Sequence, residues 1–130
     1  MKAVYVDTSA LVAIVFEEKE GATVRAKLAA ADEAFSSVLM EAELLAALAR
    51  ERVPFGEAAA LLSGISLLSA DGSLRGECEE ALSHAYVRGA DLWHLATALS
   101  LVGSASRAEL LFLTLDTTQK ALARKLGFRT

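Results

Sequence analysis

Residues 1–16 read MKAVYVDTSALVAIVF, and residues 112–118 read FLTLDTT. The two stretches share one design. An apolar, β-branched or aromatic run ends at an Asp followed by hydroxyl residues, and a helical pattern begins at once. A short buried strand feeding straight into a helix is the unit of a parallel sheet covered on both faces. Ligands of such sheets bind beyond the carboxyl ends of the strands, so Asp7 and Asp116 are expected on a common rim.

Working outward, a first helix is expected over residues 9–16 and a second over 22–31, where Val24, Leu28 and Ala31 recur at helical spacing. Residues 34–36 form a weak second strand. Ser37 is placed to cap a helix over 38–52, and the Pro54-Phe55-Gly56 turn opens another to about Leu62. Residues 65–68 suggest a third strand. A helix is expected over 74–88, closed by Gly89 as a left-handed cap, and Asp91 is expected to start an apolar helix to Val102. A loop of small residues over 103–106 leads to the strand 110–115. A last helix over 117–126 closes at Gly127, and residues 128–130 suggest the beginning of an edge strand.

Composition agrees. The 130 residues, taken as one domain over 1–130, are long enough to bury a core. Hydrophobic residues make up 54% and charged residues 23%, which excludes a disordered chain. Ala (26) and Leu (22) are strong helix formers, so a helix-rich chain is expected. Cys78 is the lone cysteine, which excludes an intramolecular disulfide and suits a reducing cytoplasm. The longest uncharged run, residues 92–106, is 15 residues, short of a membrane span, and Asp7 interrupts any signal-peptide pattern at the start. The net charge of −4 argues against a general nucleic-acid binder, unless several acids are committed to a metal.

Each Asp at a strand end has a plain structural explanation as a helix N-cap, worth about 1 kcal/mol. Two carboxylates on one rim also repel, and a hard divalent cation such as Mg²⁺ or Mn²⁺ is their natural counterion. A further acid can come from the helix after Ser37. Glu41 and Glu43 both lie on largely apolar faces, and periodicity does not choose between them. No GxxxxGK or GxGxxG phosphate loop is present. An Asp-based phosphatase or phospho-acceptor would need a second acid where Ser9 stands. His94 shares a face with Asp91 and is expected as a packed, hydrogen-bonded residue near the site; Trp93 beside it is expected in core or interface.

These residues resemble the PIN domain family, and within it the VapC-like toxins of toxin–antitoxin pairs. The likeness runs through residues 5–11, Ser37 with Glu43 six residues later, residues 91–98, and Thr114-Leu115-Asp116 with the helix that follows. It selects Glu43 over Glu41. Trp93 departs from the small residue more usual there, and the chain stops at Thr130, so the last strand is expected to be short. The resemblance implies a three-layer α/β/α domain with a central parallel sheet. It also implies a Mg²⁺- or Mn²⁺-dependent endoribonuclease in which Asp7, Glu43, Asp91 and Asp116 are the catalytic and metal-binding acids. Thr8, Ser9 and Thr114 would support them, and cleavage would leave a 5′-phosphate and a 3′-hydroxyl. RNA is the implied substrate, with an antitoxin protein and a homodimer as implied partners. A PIN fold that only binds is the competing function, and loss of an acid would be its sequence sign.

Basic residues supply the expected RNA contacts. After Asp116 the chain carries Lys120, Arg124, Lys125 and Arg129 and no acidic side chain. Lys120, Lys125 and, beyond Glu43, Arg50 are the candidates for phosphate contact; each is as readily part of a solvated helix face.

Overall fold

The structure, a computed structural model, describes residues 2–130. The chain runs β1 (Ala3–Val6), α1 (Thr8–Val15), α2 (Gly21–Ala29), β2 (Glu33–Ser37), α3 (Leu39–Arg50), α4 (Gly56–Leu62), β3 (Ser66–Leu68), α5 (Arg75–His84), α6 (Gly89–Leu101), a 3₁₀ turn (Ser104–Glu109), β4 (Leu110–Leu113) and α7 (Thr117–Lys125). The four strands form one parallel sheet in the order β3-β2-β1-β4.

The alternation of β1 splits the core into two layers. Val4 and Val6 face a cluster with Leu11 and Ile14 of α1, Val24 of α2, Met40, Leu44 and Leu48 of α3, and Ala58 of α4. Tyr5 faces the other way, into a cluster with Ala81 of α5, Leu95 and Leu99 of α6, Phe112 of β4 and Leu122 of α7. Period-2 strands buried on both faces need helices on both, which gives the expected helix–sheet–helix arrangement. Tyr5 and Phe112 stack across neighbouring strands, with centroids 5.3 Å apart and planes 9° from parallel, a pairing worth about 0.5–1.5 kcal/mol beyond area burial.

Two glycines answer to local geometry. At Gly21 a Cβ would stand 2.6 Å from the carbonyl oxygen of Ala13, so only glycine lets α2 begin that close to α1. Gly127 has φ +104°, the left-handed closure expected after α7.

Several boundaries differ from expectation. The helix expected over 74–88 ends at His84, and Gly89 is not its cap but the first residue of α6. The intervening residues leave helical geometry, Ala85 being fully extended, and this turns Val87 into the core while Tyr86 stays exposed. Burial of Val87 outweighs continuation of a polar helix. Asp91 therefore lies in the first turn of α6 rather than at its start. The small-residue loop is a 3₁₀ turn. The weakest strand by composition, around residues 34–36, is β2, an inner strand between β1 and β3. At the chain's end Arg129 makes one parallel bridge to Leu111, so the edge strand is present only as a stub.

Candidate active site

The sheet order reverses between β1 and β4, since β2 and β3 lie on one side of β1 and β4 on the other. This is the switch point at which open α/β sheets form a crevice. Asp7 leaves β1 there, its backbone N–H bonded to the Leu113 carbonyl at 2.9 Å.

Asp7 is buried and caps α1. Its Oδ2 accepts from the Ser9 hydroxyl at 2.7 Å and the Ser9 N–H at 3.3 Å. The Thr114 hydroxyl lies 2.9 Å from both Asp7 Oδ2 and Gln119 Oε1, and its single hydrogen serves one of them at a time. Asp116 caps α7, its Oδ1 accepting from the Gln119 N–H at 2.7 Å. Both strand-end acids thus fill the capping role that their position allows.

Glu43 stands half-buried on α3, whereas Glu41 points to solvent. Oε1 of Glu43 accepts from the Thr8 hydroxyl at 2.8 Å and faces His94 Nε2 at 2.6 Å. Burial works against its charge, but the His94 and Thr8 hydrogen bonds and the attraction of His94 prevail and hold the carboxyl below its ordinary value. Asp91 shows the opposite balance. Burial, then the charges of Asp7 and Asp116, push its carboxyl above the ordinary value, with Arg88 and His94 opposing. Arg88 is 3.8 Å away and largely exposed.

His94 joins these groups. It is fully buried on α6, and its Nε2 is 2.6 Å from Glu43 and 3.7 Å from Asp7 Oδ1. Its Nδ1 lies 2.8 Å from the hydroxyl of Tyr5, whose phenol burial raises well above its usual range, with Ser36 and Thr97 partly opposing. The structure therefore brings Asp7, Glu43, Asp91 and Asp116 to one rim. Asp91 senses the charges of Asp7 and Asp116, and Glu43 meets Asp7 through the imidazole.

As these side chains lie, no group of three or more His, Cys, Asp or Glu among the described residues is arranged to hold a metal ion. Glu43 and Asp116 are each turned onto a protein donor. The chemistry of the set nevertheless fits a hard divalent cation. All four donors are carboxylates, and Asp91, its charge disfavoured first by burial and then by Asp7 and Asp116, is a group that a cation would help to ionise.

Several contributors were not legible as site residues. Gln119 is fully buried, and its amide Nε2 reaches the Asp91 carbonyl at 3.2 Å, tying α7 to α6 beneath the acids. Its one sequence signal is its place three residues after a capping Asp. Trp93 is half-buried and donates from Nε1 to Ser37 Oγ at 3.1 Å, fastening α6 to the end of β2. Ser37 Oγ also accepts from the Leu39 N–H, but the N-cap of α3 is Val38, one residue later than expected, with no side-chain cap.

The basic candidates separate. Lys120 sits one turn into α7, its N–H on the Asp116 carbonyl, and lines a groove with Lys27, Thr114 and Thr130. Lys125 and Arg50 are exposed in the last turns of their helices, and Arg50 pairs with Glu51 at 3.1 Å. Each lies roughly 7–11 Å further along its helix than Lys120 or Glu43. A polar cleft lined by Tyr86, Arg88, Asp91, Asp116 and Thr118 opens at the rim. No helix among the described residues is long and apolar enough to cross a membrane.

A search of curated proteins gives no significant match. The PIN domain model, that of a family whose members are generally nucleases, matches residues 4–125, nearly the whole chain, a span within which the four acids fall. With that match, the all-parallel sheet and helices on both faces, the chain belongs to the PIN domain family.

Proposed function

We propose that this protein is a Mg²⁺- or Mn²⁺-dependent endoribonuclease acting as the toxin of a toxin–antitoxin pair, its 130 residues working as one domain in the cytoplasm. The observation that carries the reading is the PIN domain match over residues 4–125, a span that contains all four acids, together with the cleft lined by Asp91 and Asp116. In this reading Asp7, Glu43, Asp91 and Asp116 hold the metal. Bound there, a divalent cation supplies charge neutralisation at phosphate and a more acidic bound water.

The chain's own residues set the stage. Ser9 and Thr114 fix Asp7, and Thr8 fixes Glu43, so the carboxylates are oriented before substrate arrives. Lys120 offers a phosphate contact beside Asp116, and Lys125 and Arg50 extend it along two helices. Hydrolysis in this reading leaves a 5′-phosphate and a 3′-hydroxyl. The test is cleavage of single-stranded or looped RNA with Mg²⁺ or Mn²⁺. Full activity in excess EDTA would overturn the metal role.

A PIN fold that binds RNA without cutting it is the second reading, favoured by the lack of a convergent acid triad among the described residues. Retained RNA binding with no cleavage in either metal would support it. A homodimer and a bound antitoxin segment complete the proposal. Exposed Phe55 (60%) and Tyr86 (78%) support it, since large apolar side chains left in water favour interfaces. Light scattering at micromolar concentration checks the dimer, and a small antitoxin-like reading frame beside the gene checks the pairing.

A further inference from the structure

We propose that His94 is a positioning residue that acts through Glu43: anchored by the Tyr5 hydroxyl, it holds Oε1 and leaves Oε2 to a divalent cation. This inference rests on the metal-dependent reading above.

The chain of contacts is continuous. Tyr5 and His94 are both 0% exposed, and their closest atoms, the phenol oxygen and Nδ1, are 2.8 Å apart. The far nitrogen, Nε2, is 2.6 Å from Glu43 Oε1. An ionised carboxylate only accepts, so the hydrogen between them resides on Nε2. In the neutral ring Nδ1 then accepts from the Tyr5 hydroxyl, and that bond selects the tautomer. The rings meet edge to face at 71°, which restricts rotation of the imidazole.

The donors on Glu43 are one-sided. Thr8 and His94 both converge on Oε1, and among the described residues no hydrogen bond reaches Oε2. A carboxylate held by one oxygen keeps the other available in a fixed direction. His94 also spans the two layers: it belongs to α6, in the cluster with Tyr5, while Glu43 belongs to α3, in the opposite cluster. Without this bridge, the Thr8 hydroxyl alone would tie the Glu43 carboxylate to the strand end that carries Asp7.

The experiment is Mn²⁺ titration of the full chain, read by electron paramagnetic resonance or calorimetry, beside RNA cleavage. Removing a residue that orients a ligand typically weakens metal affinity about 10- to 100-fold, and His94→Leu is expected in that range. His94→Gln keeps an N–H directed at Glu43 and is expected to restore most of the affinity. If His94 acts through Glu43, His94→Leu adds nothing in a Glu43→Gln background, a coupling that general loss of packing would not produce. Should His94→Leu fail to fold, Tyr5→Phe decides. It removes one hydroxyl, and it is expected to weaken Mn²⁺ binding in wild type and not in Glu43→Gln.

Wild-type Mn²⁺ affinity in the leading His94 or Tyr5 variant, or effects that add to Glu43→Gln, would overturn the role of His94. Wild-type affinity in both Glu43→Gln and Asp7→Asn would instead overturn the metal reading on which the role rests.

Discussion

Thr114 Oγ1 lies 2.9 Å from Asp7 Oδ2, joining the end of β4 to the end of β1 at the point where the sheet order reverses. Asp7 is therefore two things at once: through the Ser9 N–H it caps α1, and through Thr114 its carboxylate is held in position at the rim.

Asp7→Asn separates those two roles. Asn caps helices about as well as Asp, so the fold is expected to survive, as judged by circular dichroism. RNA cleavage in Mg²⁺ is expected to fall at least roughly a hundredfold, about 2.7 kcal/mol of barrier. Asp116→Asn, which keeps an acceptor for the Gln119 N–H, is expected to behave alike. Wild-type cleavage by Asp7→Asn would remove Asp7 from the catalytic set.

Glu41 and Glu43 are two residues apart, yet only Glu43 is half-buried against His94 and Thr8. Glu43→Gln is expected to reduce cleavage by about a hundredfold, roughly 2.7 kcal/mol. Glu41→Gln changes a solvent-exposed side chain and is expected to stay within about twofold, since surface substitutions usually cost little. Parallel initial rates on one RNA check the contrast.

Asp91→Asn is expected to stabilise the metal-free protein at neutral pH. Its carboxyl is raised in the fold, chiefly by burial and then by Asp7 and Asp116. The native state therefore binds more protons than the unfolded chain as pH rises from the ordinary Asp value to the raised one, and stability falls across that window. The penalty is complete above the folded-state value and absent below about pH 3.9, the ordinary value. Thermal melts in EDTA should show the gain of Asp91→Asn at pH 7 and its disappearance as pH falls through the window.

Charge reversal at Lys120 and Lys125 together is expected to weaken RNA binding and flatten its salt dependence by up to about two phosphate contacts. Lys120, beside Asp116, is expected to contribute the larger part. Filter binding across a salt series measures the slope, and an unchanged slope would count against these contacts.

Gly21→Ala tests the fold rather than the site. The added Cβ meets backbone at Ala13, 2.6 Å from its carbonyl oxygen, with no side chain able to swing aside. Forcing α2 away from α1 is expected to cost about 1–3 kcal/mol, visible as a lowered melting temperature.

Much of this protein was legible along the chain because the chemistry is local there. A strand that ends in Asp and hydroxyl residues, as at Val6-Asp7-Thr8-Ser9, carries its own geometry: extended apolar backbone, a cap, then a helix. The same logic located β4, Asp116 and the closure at Gly127. Residues 85–88 went the other way because burial of Val87 is a long-range gain that local helix propensity cannot register. Weak-looking β2 became an inner strand for the same reason, held by neighbours on both sides rather than by its own composition.

The sequence by itself determined the class of fold, the order of its strand–helix units and the acids at two strand ends, since each depends on residues a few positions apart. Only the tertiary structure decided that Glu43 rather than Glu41 meets His94, that Tyr5 stands behind that ring, and that Gln119 ties α7 to Asp91. Those contacts join residues 28 to 89 positions apart. They exist because a parallel sheet sends every strand's carboxyl end to one edge, where helices from both layers can reach across it.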